Sequence, residues 1–412
     1  MPRTGTLIVG AGHAGLAMSR CLADRGLDHV VLERGSVGER WRTGRWDSFR
    51  LLTPNWLSRL PGWVYAGPDP DGFMTAAEFQ EYLSGYARSF HAPVQPHTPV
   101  TRVERTSFGF RVHTDRGDWT ARTVVIATGY HSSAKVPDLA AGLAPGIAQI
   151  AAAHYRSPSI LPDGGVLVVG ASASGVQIAY ELALAGRWVV LAVGGHTRLP
   201  RRYRGRDILW WLDQTGALER DIDHVPDAAA ARAEPSLQLV GTSNARGVDL
   251  GVLQATGVRL AGRLRTLDGT IAGFADDLAD TMVAAQDRLT RVLGGIDRYA
   301  AATPATAAGP PDPPPAIAAP ATSSKLDLRR AGISAVIWAT GFRPSYPWLA
   351  IPALERDGRI CHRRGVTAVP GLYAIGLRFQ SRRNSTFIDG ARHDAAYLAD
   401  RIAFHQARRL AG

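Results

Sequence analysis

Two glycine-rich turns are the residues of this sequence whose types and spacing could hold a nucleotide. Residues 10–15 read Gly-Ala-Gly-His-Ala-Gly, between a strand-forming apolar run and a helix-forming stretch. In such a unit Gly10 permits the tight turn, Gly12 lets a pyrophosphate approach the backbone, and Gly15 lets the helix approach the strand. Glu33 follows the next apolar run, where a carboxylate can accept a hydrogen bond from a ribose hydroxyl. The pattern predicts a dinucleotide bound at the positive end of a helix.

The segment after Glu33 is dense in tryptophan and arginine as far as Arg50. Planar indole and guanidinium groups suit the rings and the pyrophosphate of a large flavin cofactor, which favours FAD over NAD at the first turn. The alternative is a structural loop that packs its tryptophans over the sheet. The cofactor-binding candidates in this segment are Arg34, Gly38, Trp41 and Arg42.

A second turn of the same kind, Gly-Ala-Ser-Ala-Ser-Gly, stands at 170–175 between another apolar run and another helix-forming stretch. No acidic residue lies between Trp188 and Pro200, and basic residues follow the strand instead. A carboxylate there would select NAD, whereas arginine accommodates the 2′-phosphate of NADP, so this turn is predicted to bind NADPH. A solvated basic loop is the alternative. The candidates are Gly170, Ser172, Ser174, Gly175, His196, Arg198 and Arg201.

Two further apolar runs end in the same three residues, Ala-Thr-Gly, at 127–129 and 339–341. A related run at 372–376 precedes a helix that is predicted from about Asp389. Each run would return the chain to a nucleotide domain and turn beside the cofactor, and the N-terminus of the helix could face the flavin pyrimidine ring. These turns add the cofactor-binding candidates Thr128, Gly129, Thr340, Gly341 and Gly376.

The elements that carry these motifs predict an α/β fold with two Rossmann-like dinucleotide-binding domains, the second inserted in the first. The FAD domain is expected to comprise 1–160 and 326–412, and the NADPH domain 161–325. An amphipathic helix is predicted over 273–298. The Ala- and Pro-rich stretch 301–324 is predicted to be a surface linker or a disordered insertion.

Composition excludes several classes of protein. The net charge of +11 comes almost wholly from arginines spread along the chain, with Lys only at 135 and 325, so no nucleic-acid partner is expected. The two cysteines, Cys21 and Cys361, form no CxxC, which excludes a zinc ribbon, a disulfide scaffold and a reductase with a thiol pair. No metal-ligand spacing is present. No apolar run approaches the roughly 20 residues of a membrane span, so no membrane partner and a cytoplasmic location are expected.

Taken together, these motifs resemble those of the two-dinucleotide-binding flavoproteins, and within them the flavin-containing monooxygenases and YUCCA-like class B monooxygenases. The resemblance covers nearly the whole chain. It is carried by GAGHAG at 10–15, GERW at 38–41, TPNW at 53–56, ATGY at 127–130, GASASG at 170–175, ATGF at 339–342 and GLYAIG at 371–376. One stretch departs from that group's Phe-Gly-His-Tyr fingerprint. With Tyr155 as its anchor, Ala151 stands at the histidine position and His154 is shifted by three residues.

The resemblance implies roles for further residues. Trp41, Arg42 and Thr53 would lie along the flavin, and Asn55 would stand near its reactive carbon as the catalytic residue. Substrate contacts would come from the polar loop after Gly376, with the candidates Arg382, Asn384 and Ser385. A loop that only hydrogen-bonds its own backbone is the alternative for these three.

The implied activity is an FAD- and NADPH-dependent monooxygenase. NADPH would reduce FAD, and reduced flavin would react with molecular oxygen to form a C4a-(hydro)peroxyflavin that oxygenates a small organic substrate at nitrogen, at sulfur or in a Baeyer–Villiger reaction. An electron-transfer reductase that uses NAD(P)H is one alternative. A nucleotide-sensing flavoprotein without catalysis is another.

Overall fold

The computed structural model describes residues 1–130, 133–303 and 308–410 of the chain. The helices of this part are α1 (His13–Ala23), α2 (Glu39–Thr43), α3 (Ala76–Ser89), α4 (Ala173–Leu184), α5 (Ile208–Gln214), α6 (Ala228–Ala233), α7 (Leu250–Ala255), α8 (Leu278–Ala302) and α9 (Ala391–Leu410). The strands are β1 (Arg3–Val9), β2 (His29–Leu32), β3 (Arg59–Leu60), β4 (Trp63–Val64), β5 (Val94–Gln95), β6 (Val100–Thr106), β7 (Gly109–Thr114), β8 (Trp119–Ile126), β9 (Ser133–Ala134), β10 (Ala148–Ala151), β11 (Gly165–Val169), β12 (Val189–Ala192), β13 (Thr197–Arg198), β14 (Arg202–Tyr203), β15 (Arg206–Asp207), β16 (Leu237–Gln238), β17 (Arg259–Ala261), β18 (Leu264–Asp268), β19 (Ile271–Phe274), β20 (Lys325–Asp327), β21 (Ile333–Trp338), β22 (Phe342–Arg343) and β23 (Leu372–Ala374).

The first domain is built on a sheet in the order β5-β2-β1-β8-β7-β6, with β23 also paired to β8. Strands β1, β2, β8 and β23 run parallel, which places their carboxyl ends at one edge of the sheet. The apolar residues of α1 are buried against this sheet, and α9 packs over α1. Both helices therefore begin near the strand ends that the glycine motif predicts.

The second domain is built on a fully parallel sheet in the order β10-β21-β11-β12-β17. This sheet extends beyond the range 161–325 expected for the second domain. Strands β10 and β21 both belong to it, and both lie outside that range. The Ala-Thr-Gly at 339–341 accordingly ends a strand of the second domain. Strands β9 and β22, which pair with each other, carry the chain between the two sheets.

The region predicted as one amphipathic helix over 273–298 begins as a strand. Strand β19 pairs with β18 and β20, and α8 starts only at Leu278. From there the prediction is correct: the buried residues recur every three or four positions, at Leu278, Met282, Ala285, Leu289, Leu293 and Ile296. Trp211, which packs in the same cluster as Leu289, is fully buried.

Part of the predicted linker 301–324, residues 304–307, lies outside the described residues. The rest, from 308 onward, lies against the second domain without forming a helix or strand. Arg204 Nη1 donates to the carbonyl of Gly309 at 2.8 Å, and Ile317 packs against the core. This described part is docked on the protein by specific contacts. Among the described helices, none is both long and apolar enough to cross a membrane.

Candidate cofactor sites

The first glycine turn is shaped by contacts that leave no room for side chains at two of its three glycines. Gly10 has φ +109°, and a Cβ added at Gly15 would lie 2.0 Å from the Gly10 carbonyl oxygen. A Cβ at Gly12, in contrast, would meet nothing within 4 Å. Gly10 and Gly15 thus shape the strand–helix junction, whereas Gly12 borders open space at the N-terminus of α1. That open space is where a pyrophosphate would need to approach the backbone.

Glu33 is buried at the end of β2 and holds the same turn. Its Oε2 accepts from the Ala11 N–H at 2.7 Å and its Oε1 accepts from the Gly35 N–H at 3.1 Å. Each carboxylate oxygen has a second lone pair, so Glu33 can hold the turn and also accept from a ribose hydroxyl. The loop after Glu33 is anchored beside it, because Gly38 N–H donates to the Ala11 carbonyl at 3.0 Å.

The strand ends of the first sheet bring two more predicted residues to this turn. Thr128 follows β8, and Gly376, two residues after β23, contacts Ala14: a Cβ at Gly376 would lie 3.2 Å from the Ala14 Cβ. Thr128 Oγ1 and His13 Nε2 are both buried and have no hydrogen-bond partner among the described residues. Burial lowers the pKa of His13 to about 4, so its ring is neutral. Orphaned polar atoms around open space fit a bound dinucleotide.

The second turn repeats the first in detail. Gly170 has φ +111°, and a Cβ at Gly175 would lie 1.8 Å from the Gly170 carbonyl oxygen. Ser172 is the N-cap of α4, and its side chain makes no capping hydrogen bond. Ser174 lies half-buried in the first turn of the same helix. The hydroxyl of Ser172 at a bare helix N-terminus suits a phosphate.

The residue that corresponds to Glu33 in the second turn is Val193. In each unit the first glycine of the turn donates its N–H to the last residue of the neighbouring strand, Gly10 to Leu32 and Gly170 to Ala192. The next residue is Glu33 in one case and Val193, fully buried, in the other. The structure therefore bears out the missing acid at this strand end.

The basic residues predicted to replace that acid are turned into the protein. Arg198 is buried and donates to Asp249 at 2.8 Å and Gln286 at 2.7 Å. Arg201 is buried as well, and its guanidinium donates to Asp207 and to backbone carbonyls. His196 is buried, and its Nδ1 donates to the Gly194 carbonyl at 3.0 Å. Packing has committed most of these donors to protein acceptors, while Arg201 Nε is buried without a hydrogen-bond partner among the described residues. The contact of these three residues with a 2′-phosphate stays a prediction, which this packing does not favour.

The tryptophan-rich loop after Glu33 packs its two tryptophans in different places, Trp41 against the first domain and Trp46 in the core of the second. The Trp41 ring makes an edge contact with Phe79 at 4.7 Å between centroids, and the Arg45 guanidinium lies 4.7 Å from its centroid. Arg42 points outward, 61% exposed, and pairs with Glu39 at 2.6 Å. Arg34 is exposed beside the end of β2. For Arg42, the interpretation as part of a structural loop fits this geometry better than the interpretation as a residue that lies along the flavin.

Asn55 holds a neighbouring loop. Its Nδ2 donates to the Asp69 carbonyl and its Oδ1 accepts from the Met74 N–H, each at 2.8 Å. The side chain is buried, as is that of Thr53. One N–H hydrogen and one lone pair of the amide are left for another contact. A catalytic role for Asn55 stays a prediction.

The three predicted substrate residues lie together in the loop before α9. Arg382 Nη1 donates to Glu219 at 3.0 Å, and Ser385 Oγ accepts from two N–H groups of its own loop. Asn384 Nδ2 donates to Asp389 at 3.2 Å, while its Oδ1 is buried and has no hydrogen-bond partner in the described part of the chain. The alternative of a loop that hydrogen-bonds its own backbone therefore fits Ser385. Among the three residues, only Asn384 has an unsatisfied acceptor.

An ion-pair network ties the start of α9 to both domains. Glu219, Asp389 and His393 bring potential ligand atoms within 4.8 Å of one another, but arginines pair with the two carboxylates and His393 Nε2 lies 2.9 Å from Glu219. Arg59 donates to Asp389 at 2.7 Å, and Arg392 pairs with Asp389 and Glu219. With its charges paired in this way, the cluster is an anchor for the helix that begins at Ala391.

Gln238 is a residue of the second site that the sequence motifs do not mark. It is buried on β16, and its Nε2 donates to the Ala171 carbonyl inside the second turn at 2.7 Å. Its Oε1 is buried and has no partner among the residues described. No sequence pattern could have indicated it, because it follows the turn by more than 60 residues.

A cavity of about 550 Å³ opens between the two domains. Arg34 and Arg40 line it from the first domain, and Ala151, His154 and Trp338 line it from the second. The stretch that departs from the expected fingerprint therefore forms part of this cavity wall. Tyr155, its anchor, is buried and donates to Glu181 at 2.8 Å.

The sequence matches a family model described as pyridine nucleotide-disulphide oxidoreductase over residues 7–209. An uncharacterized CzcO-like oxidoreductase of Geobacillus kaustophilus is 32% identical over 404 residues, which is 97% of this chain and 98% of that relative. The chain belongs to the CzcO-like oxidoreductase family. The CzcO-like oxidoreductase of Bacillus subtilis, also uncharacterized, is 29% identical over 400 residues, 96% of this chain and 98% of the relative.

This CzcO-like chain is also similar to flavin monooxygenases. Indole-3-pyruvate monooxygenase YUCCA1 of Oryza sativa subsp. japonica is 34% identical over 214 residues, about half of each chain (49% and 50%). The flavin-containing monooxygenase of Stenotrophomonas maltophilia has a TM-score of 0.66 at 21% identity and covers 98% and 99% of the two chains. OTEMO, solved in complex with FAD and NADP, has a TM-score of 0.57 at 15% identity, with 99% and 87% covered. The predicted resemblance and α/β fold class are confirmed, and the relatives that match nearly the whole chain are named as oxidoreductases.

Proposed function

We propose that this protein is an FAD- and NADPH-dependent monooxygenase that oxygenates a small organic substrate with molecular oxygen. The observation that carries the proposal is the pair of matching nucleotide turns, one followed by Glu33 and the other by Val193. Glu33 suits a ribose with free hydroxyls, as in FAD. The strand end at Val193 has no carboxylate that would oppose a 2′-phosphate. Similarity to proteins named as flavin monooxygenases supports oxygen as the electron acceptor.

When bound, FAD would supply the redox chemistry between NADPH and oxygen, and the protein would supply position and electrostatics. The residues present fit that division of work. Gly12 leaves space for the pyrophosphate, the N-terminus of α1 favours its charge, and the buried Thr128 Oγ1 is available to it. Asn384 is the best supported of the predicted substrate contacts, because its buried Oδ1 can accept from a ligand. Asn55 Nδ2 keeps one hydrogen that it would be able to donate to a bound ligand.

Two cysteines argue against the disulfide-reductase reaction of the matched family. Cys21 is buried inside α1, and burial raises its pKa to about 11, so it is a poor nucleophile. Cys361 is exposed and lies in a distant segment. With only these two cysteines in the sequence, no thiol pair can form beside either glycine turn.

The test is a comparison of anaerobic and aerobic turnover. We expect NADPH to bleach the flavin absorbance without oxygen, and oxygen to be consumed with NADPH in a substrate-dependent manner when a panel of amines, sulfides and ketones is added. The same mixtures without substrate are the control. Turnover only with an added quinone or ferredoxin would identify an electron-transfer reductase. Flavin that NADPH cannot bleach would point to a nucleotide-sensing protein.

A further inference from the structure

The position next to Val193 is covered by a residue from another strand. Strand β17 runs parallel to β12, and the Val193 N–H donates to the Ala261 carbonyl at 2.9 Å, so the carboxyl ends of the two strands are level. Arg263 follows Ala261 by two residues. A Cβ built on Gly194 would lie 4.0 Å from Arg263 Nε. The guanidinium of Arg263 is therefore beside the strand end at which the first domain carries Glu33.

Arg263 is available where the neighbouring arginines are not. Its side chain is 49% exposed, and its ion pair with Asp277 is long, at 3.8 Å. In the part of the chain that the structure describes, its guanidinium makes no shorter polar contact. Its backbone is fixed, since its N–H donates to Asp277 at 2.9 Å and its carbonyl accepts from Ala275 at 2.9 Å. The result is an anchored residue whose half-exposed guanidinium is held by one long ion pair.

The neighbouring chain leaves room for a ligand there. Gly194 and Gly195 follow Val193 and present no side chains, and His196 turns back to bond the Gly194 carbonyl. The end of β12 itself presents neither a carboxylate nor a bulky side chain to a phosphate, and the Asp277 carboxylate lies on the β17 side, with Oδ2 3.8 Å from Arg263 Nε. A phosphate at this strand end would lie within reach of a planar guanidinium, which can bind phosphate oxygens in a bidentate manner.

We infer that Arg263 binds the 2′-phosphate of NADPH and sets the preference for NADPH over NADH. This inference rests on the proposed assignment of the second turn to NADPH. It transfers the role predicted for Arg198 and Arg201 to a strand end about 60 residues later in the sequence.

The experiment measures binding of two nucleotide fragments to the FAD-loaded protein by calorimetry. The fragment 2′,5′-ADP carries the 2′-phosphate, and 5′-AMP lacks it. For Arg263→Ala we expect the Kd of 2′,5′-ADP to rise roughly 10- to 100-fold, the effect of losing charge-assisted hydrogen bonds, with the Kd of 5′-AMP unchanged. Arg263→Lys, which keeps a point charge without the fork, should lose less.

Arg265→Ala is the matched control. Arg265 is the next arginine on the same chain segment, 58% exposed, and its distance to the same Asp277 carboxylate is 3.9 Å. It should leave both Kd values unchanged. Equal weakening of both fragments by Arg263→Ala, or equal effects of the two variants on 2′,5′-ADP, would overturn the role of Arg263. If the wild-type protein binds 2′,5′-ADP no better than 5′-AMP, the NADPH assignment itself fails, and this result is distinct from the other two.

Discussion

The first glycine turn has two proposed tasks, to hold helix α1 close to β1 and to leave space for the pyrophosphate of FAD. Adding one methyl group at Gly15 tests the first task, and adding one at Gly12 tests the second. In Gly15→Ala the new Cβ would stand 2.0 Å from the Gly10 carbonyl oxygen, whereas a carbon–oxygen contact needs about 3.3 Å. Helix α1 would have to move from β1 by roughly 1 Å. Overpacking of this kind costs up to about 3 kcal/mol. We expect Gly15→Ala to lower the melting temperature of the protein even without FAD.

In Gly12→Ala the same methyl meets nothing within 4 Å, and the residue has φ −78°, which alanine adopts freely. The FAD-free protein should lose less than about 1 kcal/mol, the difference between glycine and alanine at an N-cap. The methyl would, however, occupy the space assigned to the pyrophosphate. Loss of one or two hydrogen bonds to a charged group should raise the Kd of FAD roughly 100-fold.

The assays are thermal melting of the FAD-free proteins and titration of FAD by fluorescence quenching. We expect Gly15→Ala to have a lower melting temperature than the wild type. Gly12→Ala should have a melting temperature close to that of the wild type and a higher Kd for FAD. Wild-type affinity for FAD in Gly12→Ala would refute the placement of the cofactor at this turn. Wild-type stability in Gly15→Ala would refute the steric account of the strand–helix junction.

Two further outcomes follow from buried charges. Arg198→Ala should lower the free energy of unfolding by roughly 3 kcal/mol, because it removes the buried partner of Asp249. It should change the KM for NADPH and the KM for NADH by the same factor. A larger effect on the KM for NADPH would instead support the predicted contact between Arg198 and the 2′-phosphate. Burial raises the pKa of Asp394 from 3.8 to about 6, so the folded state holds a proton between about pH 4 and 6 that the unfolded state releases. Stability should therefore fall as pH rises through this window, by roughly 3 kcal/mol over the whole window. Asp394→Asn should abolish the fall between pH 4.5 and pH 8 in denaturant titrations, and a fall that persists in this variant would refute the assignment to Asp394.

The nucleotide turns were predictable because their requirements are local. A tight turn with positive φ, a close helix–strand contact and an acid at the strand tip are each expressed by a residue type at a fixed spacing. Gly10, Gly15 and Glu33 therefore stand where the sequence pattern predicts them, as do Gly170 and Gly175 in the second unit. Local periodicity was weaker evidence at 273–298, where the first residues join a sheet with strands from elsewhere in the chain.

Side-chain direction outside the turns was not predictable in this way. Arg198 and Arg201 read as exposed phosphate ligands, yet Asp249 and Asp207 draw them into the core. Asn55 is committed to backbone groups of residues 69 and 74, which no spacing rule connects to it. In each case the partner is supplied by a distant segment, and burial of a charge or amide requires such a partner.

The sequence by itself determined that this protein has two glycine turns of the dinucleotide-binding type and that only the first has an acid at its strand tip. The glycine spacing and Glu33 express conformation and chemistry within about 25 residues. The tertiary structure decided which cation can serve the second site. Arg263 reaches Gly194 only because β17 lies beside β12, and the alignment of strands that are distant in sequence is a property of the folded sheet.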